Sequence, residues 1–235
     1  MKQITYFQND LKQVFRDTIT GILLFAPVLL IVFFKLITVF LVPILLQKTG
    51  FDLTPYYGYV FSVILALSAG MLGIVSGFQM IDDRDGHITE LMSVTPLGRS
   101  GYLINRMLLT GLLSFCYVVL AYIVLGLVEM GLFRILFLAS MMSIYTGIIG
   151  LLLYFGADDK VKGLTYAKAL NIFMLFALVD LTGMKWLTVL SWIFPPYWIS
   201  KVIVNNSVRD YLLCLSVHLI WLIALIYGYF RSSKN

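Results

Sequence analysis

Long apolar runs alternate with short polar stretches along most of this chain. A helix of about 20 apolar residues crosses the hydrocarbon core of a bilayer, and six runs reach or approach that length. We therefore predict membrane spans at about residues 21–46, 56–80, 103–128, 132–156, 168–184 and 210–230. The pattern predicts an all-α integral membrane protein in which residues 1–235 form a single transmembrane domain.

Two further apolar segments do not fit a straight span. In residues 3–18 the apolar positions recur at helical spacing, and polar side chains take the opposite face, which predicts an amphipathic helix on the membrane surface. An ordinary helix packed on a cytosolic loop is the alternative. Residues 186–204 are interrupted by Pro195 and Pro196, and a proline pair cannot continue a helix. We expect this segment to form an outer re-entrant hairpin before the last span.

Composition agrees with a membrane location, because 60% of the residues are hydrophobic, 12% are charged and the mean hydropathy is +0.94. The net charge of +5 does not indicate nucleic-acid binding, because the basic residues lie singly between apolar runs and form no patch. The two cysteines, Cys116 and Cys214, fall inside apolar runs. Neither a disulfide framework nor a metal site is therefore expected.

Lysine and arginine residues are distributed unevenly between the two sides of the predicted spans. One side receives Lys2, Lys12, Arg16, Arg84, Arg99, Arg106, Lys160, Lys162, Lys168, Arg231 and Lys234, and the other receives Lys48, Arg134, Lys185, Lys201 and Arg209. Basic residues favour the cytoplasmic side of a membrane. We therefore expect a multi-pass cell-membrane protein with both termini in the cytoplasm.

The connection between spans two and three, residues 81–100, is long and unusually acidic. Within it, the stretch HITELMSV, residues 87–94, has the apolar pattern of a short helix that stops before Pro96. So acidic a helix does not suit a surface of anionic lipid, which favours a protein partner. A solvated loop with one amphipathic turn is the alternative.

The sequence DDRDGHITELMSVTPLGR, residues 82–99, resembles the acidic cytoplasmic segment that follows span two in the type 2 ABC transporter permeases. These permeases are six-span membrane subunits that pair with a separate ATPase. Gly86, Glu90, Leu91, Thr95 and Pro96 match the segment of that family. The layout of spans, long connection and broken outer hairpin is similar as well. In size, this chain is most similar to compact members that export amphipathic peptide toxins, antibiotics or bacteriocins.

This resemblance implies that the acidic connection is a coupling element, which sits in a groove of the ATPase and transmits its movements. The residues expected to take part are Asp83, Arg84, Asp85, Gly86, Ile88, Glu90, Leu91, Met92, Thr95 and Pro96. The stretch GADDKVKG, residues 156–163, is either a second, minor contact or a plain turn.

The resemblance also implies partners for this chain. We expect an ABC ATPase subunit and a second permease subunit, identical or homologous, with the substrate path along the interface of the two permeases. No cofactor is expected on this chain, while ATP and Mg would bind to the partner ATPase. The expected location is a bacterial plasma membrane, with lipid around the spans and no nucleic-acid partner.

Lys35 and Asp180 are charged residues well inside predicted spans one and five. With a rise of about 1.5 Å per residue, the two side chains could lie at matching depths. A charge at the centre of a bilayer costs at least about 2.5 kcal/mol on insertion scales, so a partner or a wet cavity is expected. The two residues are predicted either to form an intramembrane ion pair or to line the substrate path.

Small residues follow one another along span two, which indicates close approach of another helix. They are Ser62, Ala66 and Gly70 and, beside them, Ala69, Gly73 and Gly77. Either a second permease subunit or another helix of the same subunit fits this stripe.

The residue inventory does not favour an enzyme. The chain contains no G-x-x-x-x-G-K-[ST] motif to cradle phosphate, and no H-E-x-x-H or G-x-S-x-G. For His218, inside the last apolar run, a hydrogen-bonded structural role is favoured. We predict the permease subunit of an ATP-driven exporter of amphipathic peptides, antibiotics or other hydrophobic compounds, with no catalytic residues. An ATP-independent secondary carrier or a membrane scaffold is the main alternative, and a membrane-embedded enzyme is a weaker one.

Overall fold

The computed structural model describes residues 18–88 and 98–232, and these residues form helices and no strands. Span one combines Thr18–Leu36, a π-helical turn at Ile37–Leu41 and Val42–Thr49. A short 3-10 turn at Thr54–Tyr56 precedes span two, which is Tyr57–Asp85. Spans three, four and six are Gly98–Leu125, Leu132–Gly156 and Val208–Ser232, and span five joins Lys160–Asn171 to a 3-10 helix at Ile172–Thr182. The hairpin before the last span contains Lys185–Ser191 and Pro195–Asn205.

The all-α class and the six spans are confirmed, because six helices among the described residues are long and apolar enough to cross a membrane. Residues 3–17 of the predicted surface helix and residues 89–96 of the predicted coupling element lie outside the described residues. Span two continues to Asp85, so residues 81–85 of the expected connection belong to the helix of the span.

Span five begins eight residues before the predicted position of residue 168. The cause is the side chain of Asp159, whose Oδ1 accepts a hydrogen bond of 2.8 Å from the backbone N–H of Lys162. Such an N-cap satisfies one of the donors that the first turn of a helix leaves free. The polar residues that we expected in a loop therefore form the first turns of the span.

Spans two and four form the centre of the bundle. In the most apolar part of span two, 78% of the residues are buried, against 6% in span one and 11% in span six. Spans one and six consequently offer most of their apolar surface to lipid or to another subunit.

The small-residue stripe of span two packs against span four. A Cβ atom placed on Gly73 would lie 2.6 Å from the backbone oxygen of Thr146, and one on Gly77 would lie 2.7 Å from a methyl carbon of Leu153. Gly73 and Gly77 therefore support the second explanation for the stripe, close packing against another helix of the same subunit.

The hairpin before the last span bends by 109° between its two helices. Phe194, in an extended conformation, precedes Pro195 at the start of the second helix, where the missing N–H of proline costs nothing. The indole N–H of Trp198 donates to the carbonyl of Trp192, and that of Trp221 donates to the carbonyl of Ile193, both at 2.8 Å. The bend is thus stabilised by indole donors, while the second hairpin helix lies buried against spans two, five and six.

Replacing Gly77 by alanine tests the contact between spans two and four. Overpacking a close contact costs about 1–3 kcal/mol, so the purified variant should unfold at a clearly lower temperature in detergent. Gly131→Ala is the control, because a Cβ atom at Gly131 meets nothing within 4 Å. Equal unfolding temperatures for the two variants would contradict the packing described here.

Orientation in the membrane can be tested with single cysteines at opposite ends of the bundle. Asp52 lies exposed between spans one and two, and Val161 is 77% exposed at the start of span five. In a background without Cys116 and Cys214, Asp52→Cys should react with an impermeant maleimide added to intact cells, and Val161→Cys should react only after the cells are opened. The reverse result would invert the predicted orientation.

Candidate functional site

Asp83 is buried at the end of span two that leads into the acidic connection. Its side chain has no exposed surface, and both carboxylate oxygens accept hydrogen bonds from Arg106 of span three, with Nε–Oδ2 at 2.6 Å and Nη2–Oδ1 at 2.8 Å. The hydroxyl of Tyr102, one turn earlier on span three, donates to Oδ2 at 2.7 Å. A two-point arginine–carboxylate contact fixes both distance and orientation, so these contacts lock spans two and three together.

The next residue, Arg84, binds the end of span four. Its Nη2 donates to the carbonyls of Ala157 and Asp158 at 2.7 Å and 2.6 Å, and Nη1 donates to that of Tyr154 at 3.3 Å. The guanidinium carbon also lies 5.1 Å from the centre of the Tyr154 ring. The last carbonyls of a helix have no partner within the helix and carry partial negative charge, which a basic side chain neutralises.

Asp82 extends the same group of contacts to span five. Its Oδ2 pairs with the ammonium of Lys160 at 2.9 Å, and both side chains are about one-third exposed, at 33% and 30%. In the turn between spans four and five, Lys162 donates to the carboxylate of Asp158 at 2.8 Å and thereby lowers the pKa of Asp158. Span two is thus connected to spans three, four and five by three consecutive residues, Asp82, Asp83 and Arg84. We call these three residues and their partners the charged brace.

The structure separates the predicted coupling residues into three sets. Asp83 and Arg84 point to neighbouring spans, while Asp85 and Gly86 are exposed and Ile88 is half-buried at the start of the connection. The helix ends here, where the N–H of Gly86 donates to the carbonyl of Asp82 at 2.9 Å. The third set, Glu90, Leu91, Met92, Thr95 and Pro96, lies outside the described residues.

Sequence reasoning missed Tyr102, Arg106 and Lys160 as partners of this acidic group. Arg106 carried a usable signal, since it is an arginine in the first turn of predicted span three and requires a counter-charge. Lys160 was placed in a loop rather than on a helix. Its approach to Asp82 depends on the packing of spans two, four and five.

Lys35 and Asp180 do not form the predicted pair. The ammonium of Lys35 donates to the carbonyl of Leu125 at 3.3 Å, and Asp180 instead pairs with Lys201 of the second hairpin helix at 2.7 Å. The reason is the helix arrangement: span one packs on spans two and three, whereas the 3-10 part of span five packs on span two and the hairpin. The position of a residue along its predicted span does not tell on which side of span two that residue lies.

His218 in span six is fully buried, and its Nδ1 lies 2.7 Å from the carbonyl of Cys214 on the preceding turn. The hydrogen bond expected for His218 is therefore present, and its structural role stays a prediction. Across residues 18–88 and 98–232, no three His, Cys, Asp or Glu side chains lie close enough together to hold a metal ion.

These features define a multi-pass, all-α membrane protein whose spans are joined at one end by the charged brace. Residues 10–230 match the family described as "Fluoroquinolones export permease protein Rv2686c-like", and the chain belongs to this family of transport permeases. The resemblance to an exporter permease family is thereby confirmed.

Two curated relatives from Mycobacterium tuberculosis are similar over most of the chain. They are the Fluoroquinolones export permease proteins MT2760, of strain CDC 1551 / Oshkosh, and Rv2686c, of strain ATCC 25618 / H37Rv. Each is 28% identical over 201 residues, which cover 83% of this chain and 78% of the relative. No solved structure matches the chain.

The stability of the charged brace can be tested by removing one partner of its buried ion pair. Asp83→Asn leaves the guanidinium of Arg106 without its counter-charge, and breaking such a pair costs about 3–5 kcal/mol. Thermal unfolding in detergent should show a large fall in the transition temperature. Asp82→Asn is the matched control, because its pair with Lys160 is partly exposed and such pairs contribute about 0–1 kcal/mol. Similar losses in the two variants would contradict the energetic role assigned to Asp83.

Proposed function

We propose that this chain is the membrane-spanning permease of an ATP-driven drug exporter, which works with a separate ATPase subunit and a second permease subunit. The substrates proposed are antibiotics and other amphipathic or hydrophobic compounds. The names of the relatives favour small aromatic drugs such as fluoroquinolones over the amphipathic peptides that the size of the chain suggested.

The observation that carries the ATP-coupling proposal is the charged brace. A permease without a nucleotide site must be driven through its contacts with the ATPase. A contact segment transmits the movement of the ATPase only if the helices that carry the segment are held rigidly. The acidic connection leaves the bundle directly after Asp82, Asp83 and Arg84, which hold three neighbouring spans. A force applied to the connection would therefore move spans two to five together.

Span one supports the proposal of a second permease subunit. None of the residues from Ile37 to Thr49 is buried, and they include exposed side chains such as Phe40, Leu41 and Ile44. A substrate path between two subunits would place surfaces of this kind on either side of the exported compound.

The coupling role of the connection is tested by Glu90→Ala and, separately, Leu91→Asp. We expect each variant to insert and fold, but to bind the ATPase more than tenfold more weakly, since losing one side of a desolvated charged contact costs about 2–5 kcal/mol. The measurement is co-purification of the ATPase with the tagged chain, followed by drug-stimulated ATP hydrolysis in proteoliposomes. Glu129→Ala is the matched control, an exposed acid in the connection between spans three and four at the opposite end.

Full ATPase binding and full drug-stimulated hydrolysis in both variants would refute coupling through this connection. Export that continues without any ATPase subunit would favour the secondary-carrier alternative instead.

A further inference from the structure

Span one separates from the rest of the bundle at Lys35. Ile31, one turn earlier, is 1% exposed and belongs to the main core. After Lys35 the helix changes to a π-helical turn at Ile37–Leu41, and from there to Thr49 no residue is buried. Lys35 therefore lies where span one leaves the bundle, beside Leu125 at the end of span three, and we call this position the notch.

The ammonium of Lys35 has unused hydrogen-bonding capacity. Among the described residues its one partner is the carbonyl of Leu125, at 3.3 Å, which is near the long end of the range for a hydrogen bond. An ammonium carries three donors. Within the same part of the chain, no carboxylate forms an ion pair with Lys35, whereas the partly buried Lys201 has Asp180 at 2.7 Å.

A charge within a span needs a partner. The hydrogen bond to the carbonyl of Leu125 uses only one of the three donors of the Lys35 ammonium. Lys35 is partly buried, and its ammonium lies level with Leu125, the last residue of span three. The local environment is therefore suited to an added negative group.

We propose that Lys35 binds an anionic group of the exported compound, a carboxylate, in the notch between Lys35 and Leu125. This inference rests on the proposed function, because it takes the substrate from the drug class named for the relatives. Compounds of that class carry a carboxylate on a planar aromatic ring system. The carboxylate is chosen because its negative charge is complementary to the positive charge of the Lys35 ammonium. The apolar surface of span one beyond Lys35, including Phe40, contacts the aromatic part.

The test compares a fluoroquinolone free acid with the ethyl ester of the same compound, which removes the negative charge and keeps the rings. In proteoliposomes containing the complete transporter, Lys35→Met should raise the KM for export of the acid by about tenfold or more and leave that of the ester within about twofold. Lys35→Arg should retain most of the preference for the acid. Lys48→Met, an exposed lysine at the end of the same span, is the control and should change neither KM.

Two outcomes would overturn the inference. Equal effects of Lys35→Met on acid and ester would show a structural role, and no effect on either would show that the notch is not part of the path. An anionic lipid headgroup is the other source of such a group. If acid and ester respond alike and the response follows the phosphatidylglycerol content of the liposomes, Lys35 binds lipid and the substrate assignment is refuted.

A failure of the proposed function is distinguishable from a failure of this inference. If the unaltered transporter exports neither compound in the presence of ATP, the proposed export activity is refuted. Binding of the acid and the ester to the purified chain, measured by quenching of their fluorescence, still decides whether Lys35 recognises the carboxylate.

Discussion

Backbone carbonyls at helix ends are the constraint on which this structure depends. The last turn of a helix leaves carbonyls without partners within the helix, and residues such as Ala157, Val202 and Ile203 are buried by neighbouring helices, where water does not reach them. In this chain, side chains from other helices supply the donors. Arg84 of span two serves the end of span four, Arg134 of span four serves Val202 and Ile203 of the second hairpin helix, and Lys35 serves the end of span three.

Because each of these donors lies on a different helix from the carbonyl that it binds, every such bond also fixes the position of one helix relative to another. The effect is strongest at the charged brace, where the buried pair of Asp83 and Arg106 is added. A buried ion pair is weak evidence for stability as such, since desolvating two charges offsets much of their attraction. Its value here is geometric, because a two-point contact allows one arrangement of spans two and three.

The same constraint divides the molecule into a firmly joined part and a loosely attached one. Spans two to five share the brace, and the stripe at Gly73 and Gly77 brings spans two and four into direct backbone contact. Span one leaves this body after Lys35. Under the proposed function, the joined part would move as a unit and the exposed surface of span one would face another subunit or a substrate.

The sequence by itself determined the class of the protein and the approximate positions of its six candidate spans. Apolar length decides whether a helix can cross a bilayer, and a proline pair must interrupt a helix, so the spans and the bent hairpin followed from local composition. The small-residue stripe of span two was equally visible, but its partner was not. Tertiary structure decided that span four fills it, because any closely approaching helix satisfies the same pattern.

Charged residues show the limit most clearly. Sequence indicated that Lys35 and Asp180 required partners, since a charge in a span is costly without one, and it placed Asp83 only in the acidic connection. Which group neutralises each charge depends on the rotation and order of helices that are far apart in the chain. Asp180 therefore pairs with Lys201 rather than Lys35, and Asp83 lies buried against Arg106 rather than at the surface, because only the packed bundle determines which helix faces which.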